Sequence, residues 1–383
     1  MAELVLSIER SRKVYRMAVS VLFFLQGLCF ASWASRIPSI QQELNLSESM
    51  LGVILFALPA GSMLSLLFSG KLVTKYGSKK VASNAIFMYS LFLPVIGLSG
   101  NVWVLIISLV FFGMAGNIAN IAINTQAVHV EARYGKKIMA SFHGLWSLAG
   151  FMAAGIGTYM ISQGIVPLTH FLLVTTVIVA GVGLSFQYLV PEEKSNAPSE
   201  SLFVKPDKAL LKLGVLSFCC MVCEGAMFDW SGIYFQKVVG ADKDWVGAGY
   251  TAFMCAMAAG RFVADWVANH LKFQKTIFIS GLLIAGGLGL AVALPFLWIS
   301  ITGFLLVGFG VSSVIPLIYS EAGRSKTTAP GRALTAVSSI GFLGFLFGPP
   351  LIGVVAGAFS LRISFLLVAL IGLLIAAIIR SKE

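Results

Sequence analysis

Glu224 is the residue whose type and position most demand a chemical explanation. It lies about twelve residues into an apolar stretch over 209–238, roughly 18 Å from its start at 1.5 Å per residue. A carboxylate that deep in a hydrocarbon-spanning helix is costly. It can carry a proton or bind a sugar hydroxyl; the structural alternative is a hydrogen bond to a neighbouring helix. Asp229 follows five residues later, about 140° around a helix. The two face one cavity centre only if the helix breaks near Gly225. Asp229 suits a wetted mouth as well as a proton carrier. Arg36, at the end of the first apolar stretch, can pair with Asp229 across the halves of the chain or snorkel to the interface.

A second group is polar without charge. Asn117, Asn120 and Asn124 fall within about 60° of one another on a helix. Three amides in a stripe, each donor and acceptor, suit a polyol, although Asn also joins helices within membranes. Gln26 belongs to the same class. His143, beside Trp146, can titrate near neutral pH and couple proton movement, or simply hydrogen-bond a neighbour. Trp146, Tyr250 and Tyr319, with Trp33 and Trp230, can stack on a sugar face or a flat heterocycle, or merely pack. The five cysteines sit in apolar segments without partners at metal-site spacing, so they read as packing residues, and no metal or cofactor is expected.

These residues need elements that place them in lipid. Hydrophobic residues make up 58% of the 383 and charged residues only 11%. Soluble domains run near 45–50% and 25%. A soluble enzyme or nucleic-acid binder is thereby excluded, despite the net charge of +11. Runs such as Phe278–Phe296 lack the alternation of a β-barrel strand. The expected architecture is all-α integral membrane, with twelve transmembrane helices of about 20 residues each. The longest polar interruption predicts an N-terminal six-helix bundle at 1–190, a cytoplasmic linker at 191–208 and a C-terminal six-helix bundle at 209–383. All but four of the 27 Lys and Arg (Arg36, Lys237, Lys243 and Arg362) fall on one side of that topology. The positive-inside rule then puts both termini and the linker in the cytoplasm, in a multi-pass protein of the bacterial inner membrane.

The two halves repeat weakly. Phe112-Gly113 and Asn124 match Val307-Gly308 and Tyr319, Gly150-Phe151 matches Gly344-Phe345, and Gly70-Lys71-Leu72-Val73 matches Gly260-Arg261-Phe262-Val263, at nearly constant offset. Parallel six-span repeats are a transporter design with the substrate between the halves. Kinks at Pro316 and Gly348-Pro349-Pro350 fit helices that rock around such a site.

The segment from Gly70 to Lys80 resembles the signature of the major facilitator superfamily, Gly-x-Leu-small-Asp-Arg-aromatic-Gly-Arg-basic. Gly70, Leu72, Tyr76, Gly77 and the basic Lys79-Lys80 are kept, whereas Thr74 and Lys75 replace the usual Asp and Arg. The resemblance implies a major facilitator fold working as a monomer, with Gly70 and Gly77 at a cytoplasmic gate whose charge network lacks its Asp. In the second half, Arg261 and Asp265 stand four apart on one helical face, spaced for a local gating ion pair. Leu22-Phe23-Phe24-Leu25-Gln26-Gly27, Ile37-Pro38-Ser39-Ile40-Gln41-Gln42 and Ala119-Asn120 resemble the fucose-permease-like branch of sugar/proton symporters. That branch has carboxylates in its first and fourth helices where this chain has Ala34 and Gly116, so those coupling roles do not carry over.

The expected function is secondary active transport of a small polar organic solute, a sugar or sugar-like molecule, by alternating access and coupled to protons. The alternative is a proton-driven exporter of amphipathic drugs or metabolites, with the 13 Met and many aromatics lining a greasy pocket. There is no phosphate-cradling loop, no His-Glu-x-x-His and no placeable catalytic triad, so no enzyme and no nucleotide-driven pump is expected. The expected partners are a small-molecule substrate, lipid and protons, not nucleic acid.

Overall fold

The computed structural model describes residues 2–134, 138–191, 207–325, 328 and 330–380, with the backbone only at 2–11, 140, 264–270, 330–332 and 335. These residues form fourteen α-helices: α1 (Ala2–Glu43), α2 (Glu48–Leu55), α3 (Ala57–Tyr76), α4 (Ser78–Gly97), α5 (Val102–Tyr134), α6 (Met139–Ser162), α7 (Pro167–Phe186), α8 (Lys208–Tyr234), α9 (Ala248–His270), α10 (Phe273–Ala293), α11 (Leu297–Ser312), α12 (Val314–Ala322), α13 (Pro330–Ala358) and α14 (Leu361–Arg380). They make twelve stretches long and apolar enough to cross a membrane. Two stretches are broken helices. One is interrupted at Phe56, just before Pro59, and the other at Ser313, just before Pro316. Proline removes a helical donor and clashes one turn back, so a break there is its ordinary effect. Pro349 and Pro350, also expected to mark a bend, lie inside the unbroken α13.

Large apolar side chains such as Leu67, Leu172, Leu184, Phe262 and Leu370 point outward, as hydrocarbon solvent allows. Backbone polar groups are satisfied within the helices, the condition for crossing a bilayer.

The chain forms two compact units. The first comprises Met1–Trp33, Ala57–Ile156 and Ile165–Ser199; the second comprises Ala34–Phe56, Gly157–Gly164 and Glu200–Glu383. In the first unit α5 packs against α3 and α4, and α4 against α7. Gln126 on α5 donates to Ser78 Oγ at 2.8 Å and to the carbonyl of Val190 at 3.2 Å, and accepts from Val190 N at 3.0 Å. A buried amide with all these partners ties the start of α4 to the segment after α7.

In the second unit α8 packs against α13 and α14, α10 against α11 and α14, and α9 against α11. Asp207 caps α8 by accepting from Leu210 N at 2.8 Å. The helix then runs unbroken through Gly225 to Tyr234, continues as a π-turn over Phe235–Val239, and stops at Gly240, whose φ of +65° suits glycine. Tyr234 anchors that end, donating to Ala291 O at 2.9 Å with its ring 4.3 Å from that of Phe365.

The second unit also takes up the end of α1 and all of α2. A methyl group on Gly52 of α2 would lie 2.8 Å from Gly353 Cα of α13, and one on Gly353 would lie 2.7 Å from Gly52 Cα. Only glycine lets these backbones approach so closely.

Candidate functional site

Glu224 sits in the middle of α8 and is 7% exposed. Its carboxylate accepts from Arg261 Nη2 of α9 at 3.3 Å. Ser217, Cys220 and Glu224, at i, i+3 and i+7, lie on one stripe of α8. Cys220 and Tyr319 of α12 stand within electrostatic reach of Glu224, and Tyr319 stands beside Ser217. An acid, a guanidinium, a phenol, a thiol and a hydroxyl therefore stand close together among these helices. Burying an ion pair is costly unless its geometry is good, and removing one partner strands the other.

Sequence spacing pairs Arg261 with Asp265. The structure shows it reaching another helix, to Glu224; the side chain of Asp265 lies outside the described residues. Arg261 thus belongs with Glu224 as a site residue, which local spacing alone does not reveal.

Asp229 lies further along the same helix, 8% exposed. Because α8 does not break at Gly225, Asp229 and Glu224 take different faces. Asp229 is within electrostatic reach of Tyr250 on α9. Tyr250 is 2% exposed, and its hydroxyl has no hydrogen-bond partner among the described residues. Phe228 stands edge-on to the rings of Tyr250, Phe253 and Phe345. Arg36 is fully buried in the same unit, but among the described residues no ion pair joins it to Asp229. The ion pair seen near that end of α8 is instead Lys237 with Glu48 of α2, at 2.6 Å. Sequence reading missed it, since the two residues lie 189 positions apart and no spacing within one helix relates them.

In the first unit the Asn stripe divides. Asn117 donates to Ser65 Oγ at 2.8 Å and to Ser62 O at 3.2 Å, holding α5 to α3. Asn120 is exposed, and Asn124 donates to its side-chain oxygen at 3.0 Å, so this pair keeps an accessible amide face. Gln26 is buried; its Nε2 donates to Gly116 O at 3.2 Å, and its Oε1 has no partner among the described residues. His143 is exposed, edge-on to Phe23 at 5.2 Å, and Trp146 stacks on Phe30 at 6.0 Å.

Of the signature glycines, Gly77 has φ +82° in the turn between α3 and α4, a conformation L side chains resist. Gly70 is helical with nothing within 4 Å of an added methyl, so its backbone does not explain a glycine there.

The description of the major facilitator superfamily matches residues 19–330. An uncharacterized MFS-type transporter of Yersinia pestis is 32% identical over 366 residues, 96% of this chain and 95% of that protein. Membrane protein MosC of Rhizobium meliloti is 31% identical over 95% of this chain and 89% of its own length. Among solved structures, a mutant nucleoside transporter NupG superposes with TM-score 0.78 at 12% identity, covering 95% of this chain and 98% of that one. The D-xylose-proton symporter superposes with TM-score 0.75 at 14% identity, covering 96% and 98%. The twelve-helix fold agrees with these neighbours, and the match across most of the chain makes it a member of the major facilitator superfamily, a multi-pass membrane transporter of a small molecule and not an enzyme.

Proposed function

We propose that the protein is a secondary active transporter of a small polar organic solute, a sugar or sugar-like molecule, driven by protons across the bacterial inner membrane. It works by alternating access, as a monomer with both termini in the cytoplasm. The Glu224–Arg261 pair carries this reading: a packing role at that depth would be served at lower cost by apolar side chains. Glu224 takes the proton and meets the solute. Tyr319, Tyr250, Trp146, Gln26 and the Asn120–Asn124 face contact it, and Asn117 backs that face from within the helix pair. His143 and Asp229 are further coupling groups. Arg36, Gly70, Gly77, Arg261 and Asp265 serve the gates. Solved neighbours of this fold are named for nucleosides, fucose and D-xylose, the last two with protons, which supports the solute class.

Uptake into proteoliposomes tests it. Pentoses, hexoses, nucleosides and lipophilic cations would be offered with and without a pH gradient. Accumulation of a polar solute that collapses with the gradient, and is lost in Glu224→Gln, is the expected result. Movement of lipophilic cations alone would overturn the solute class in favour of a drug exporter.

A further inference from the structure

The turn between α3 and α4 gathers positive charge without acids of its own. Lys71 and Lys75 lie in the last turns of α3, Lys79 and Lys80 in the first turn of α4, and neither helix has an Asp or Glu. The acid of α5, Glu131, holds the start of α6, accepting from Ile138 N at 2.7 Å and Met139 N at 2.9 Å. Beside the exposed Lys71, Lys75 and Lys80, an apolar groove of about 330 Å³ opens between α3, α4 and α5. We infer that this groove holds one acyl chain of an anionic phospholipid, whose phosphate lies against Lys75 and Lys80. Such a site stands whatever solute the protein moves.

Four observations carry it. First, polarity is graded along α4 as it is along a lipid. Lys80, Asn84 and Met88, at i, i+4 and i+8, share one face at intervals of about 6 Å and all line the groove. The ammonium suits a phosphate, the amide one turn deeper can donate to an ester carbonyl, and the thioether packs on hydrocarbon. Leu72 of α3, Ala85 of α4 and Ile118 of α5 complete the apolar wall.

Second, the depth fits one leaflet. A membrane span begins at Ser78, and Lys80 to Met88 covers about 12 Å, within half of the roughly 30 Å hydrocarbon layer. Third, the width fits one chain. The volume spread over that depth leaves a cross-section of roughly 30 Å², room for an extended hydrocarbon but not for a helix about 10 Å across. Fourth, the rim is built for a charged headgroup. Tyr76 and Lys80 flank the mouth, and Lys75 Nζ stands 5.1 Å from the centre of the Tyr76 ring. Aromatic rings settle at headgroup level, and clustered lysines there attract anionic lipid. Lys79 is turned away, over the Phe186 ring at 4.8 Å.

The test is native mass spectrometry of the full-length protein in a neutral detergent, titrated with phosphatidylglycerol or with phosphatidylcholine of the same chains. One phosphatidylglycerol is expected to be retained, at least tenfold more tightly than phosphatidylcholine. Lys75→Gln with Lys80→Gln should weaken it about thirtyfold, the effect of two lysines near an anionic surface. Lys75→Arg with Lys80→Arg should keep it, as should Lys272→Gln with Lys275→Gln, which removes two lysines from the second unit. Met88→Trp, filling the foot of the groove from a half-exposed position, should weaken retention comparably. Melting temperatures without lipid, expected to match the parent, show that each variant is folded. Equal retention of phosphatidylcholine, or full retention by the Lys75→Gln, Lys80→Gln protein, would overturn the inference. Loss of binding in the lysine variant but not in Met88→Trp would place the headgroup on the surface and leave the groove without its chain, which also overturns it. Inorganic phosphate that displaces the lipid would do the same. A dimer that lipid does not dissociate and Met88→Trp does would give the groove to a second copy.

Discussion

Lys237 Nζ lies 2.6 Å from a carboxylate oxygen of Glu48, although 189 residues separate them in sequence. The bond fastens the start of α2 to the π-turn that ends α8. Both side chains are partly exposed, 26% for Glu48 and 40% for Lys237, so water screens much of its strength. Replacing Lys237 by Gln is expected to cost at most about 1 kcal/mol in stability. Its larger effect should be on opening. With α2 released from α8, a cysteine at Ser49 should react faster with a membrane-impermeant maleimide. The swapped pair, Glu48→Lys with Lys237→Glu, should return the rate to that of the parent.

The crossing of α2 on α13 predicts a sharp asymmetry among glycines. Gly52→Ala forces a methyl against Gly353 Cα and is expected to destabilise by about 1–3 kcal/mol, as overpacking does. Gly70→Ala fills open space in a helix and should be neutral or stabilising by up to about 1 kcal/mol. Thermal unfolding of both variants in one detergent decides it. If Gly70→Ala is stable but transports poorly, the signature glycine serves motion and not packing.

Gly77→Ala should be destabilising for a different reason. Its φ of +82° places a new Cβ in a disfavoured backbone region, at a cost of about 1–2 kcal/mol. Asn at 77 should lose as much in the same unfolding assay, because a ψ of +146° lies outside the left-handed helical region that Asn tolerates.

The Asn stripe should separate by function. Asn117→Ala removes the bonds to Ser62 and Ser65 and is expected to lower stability by about 0.6 kcal/mol or somewhat more, with solute selectivity unchanged. Asn120→Ala leaves that joint intact and should alter the apparent KM of transport more than the melting temperature. The reverse pattern would assign Asn117 to the solute and Asn120 to packing.

Much of this was legible in the sequence, for reasons that can be named. Lipid demands long apolar runs, so all twelve spans can be counted, and Glu224 stands out because a carboxylate in such a run is expensive. The break near Pro316 follows from its missing N–H. The contact of Arg261 with Glu224 was not legible. Spacing along one helix can offer only a local neighbour, here Asp265, whereas Glu224 lies 37 residues away, and the meeting depends on how α8 and α9 pack. The same limit applies to Asn117. Its face can be read from 3.6-residue periodicity, but not that α3 brings Ser65 against it. Gly225 looked able to break α8, yet a single glycine costs a helix only about 1 kcal/mol, and α8, packed against α13 and α14, runs unbroken through that point.

Ser49 donates to the carbonyl of Gly353, 304 residues further along the chain. The ribosome therefore makes one side of this joint near the beginning of synthesis and the other near the end. Domains usually fold as they emerge, N-terminal first; here α2 must wait in the bilayer until α13 arrives. A gene cut at the linker would yield a C-terminal fragment without the segment that completes its own unit. Only co-production with the N-terminal fragment would restore it.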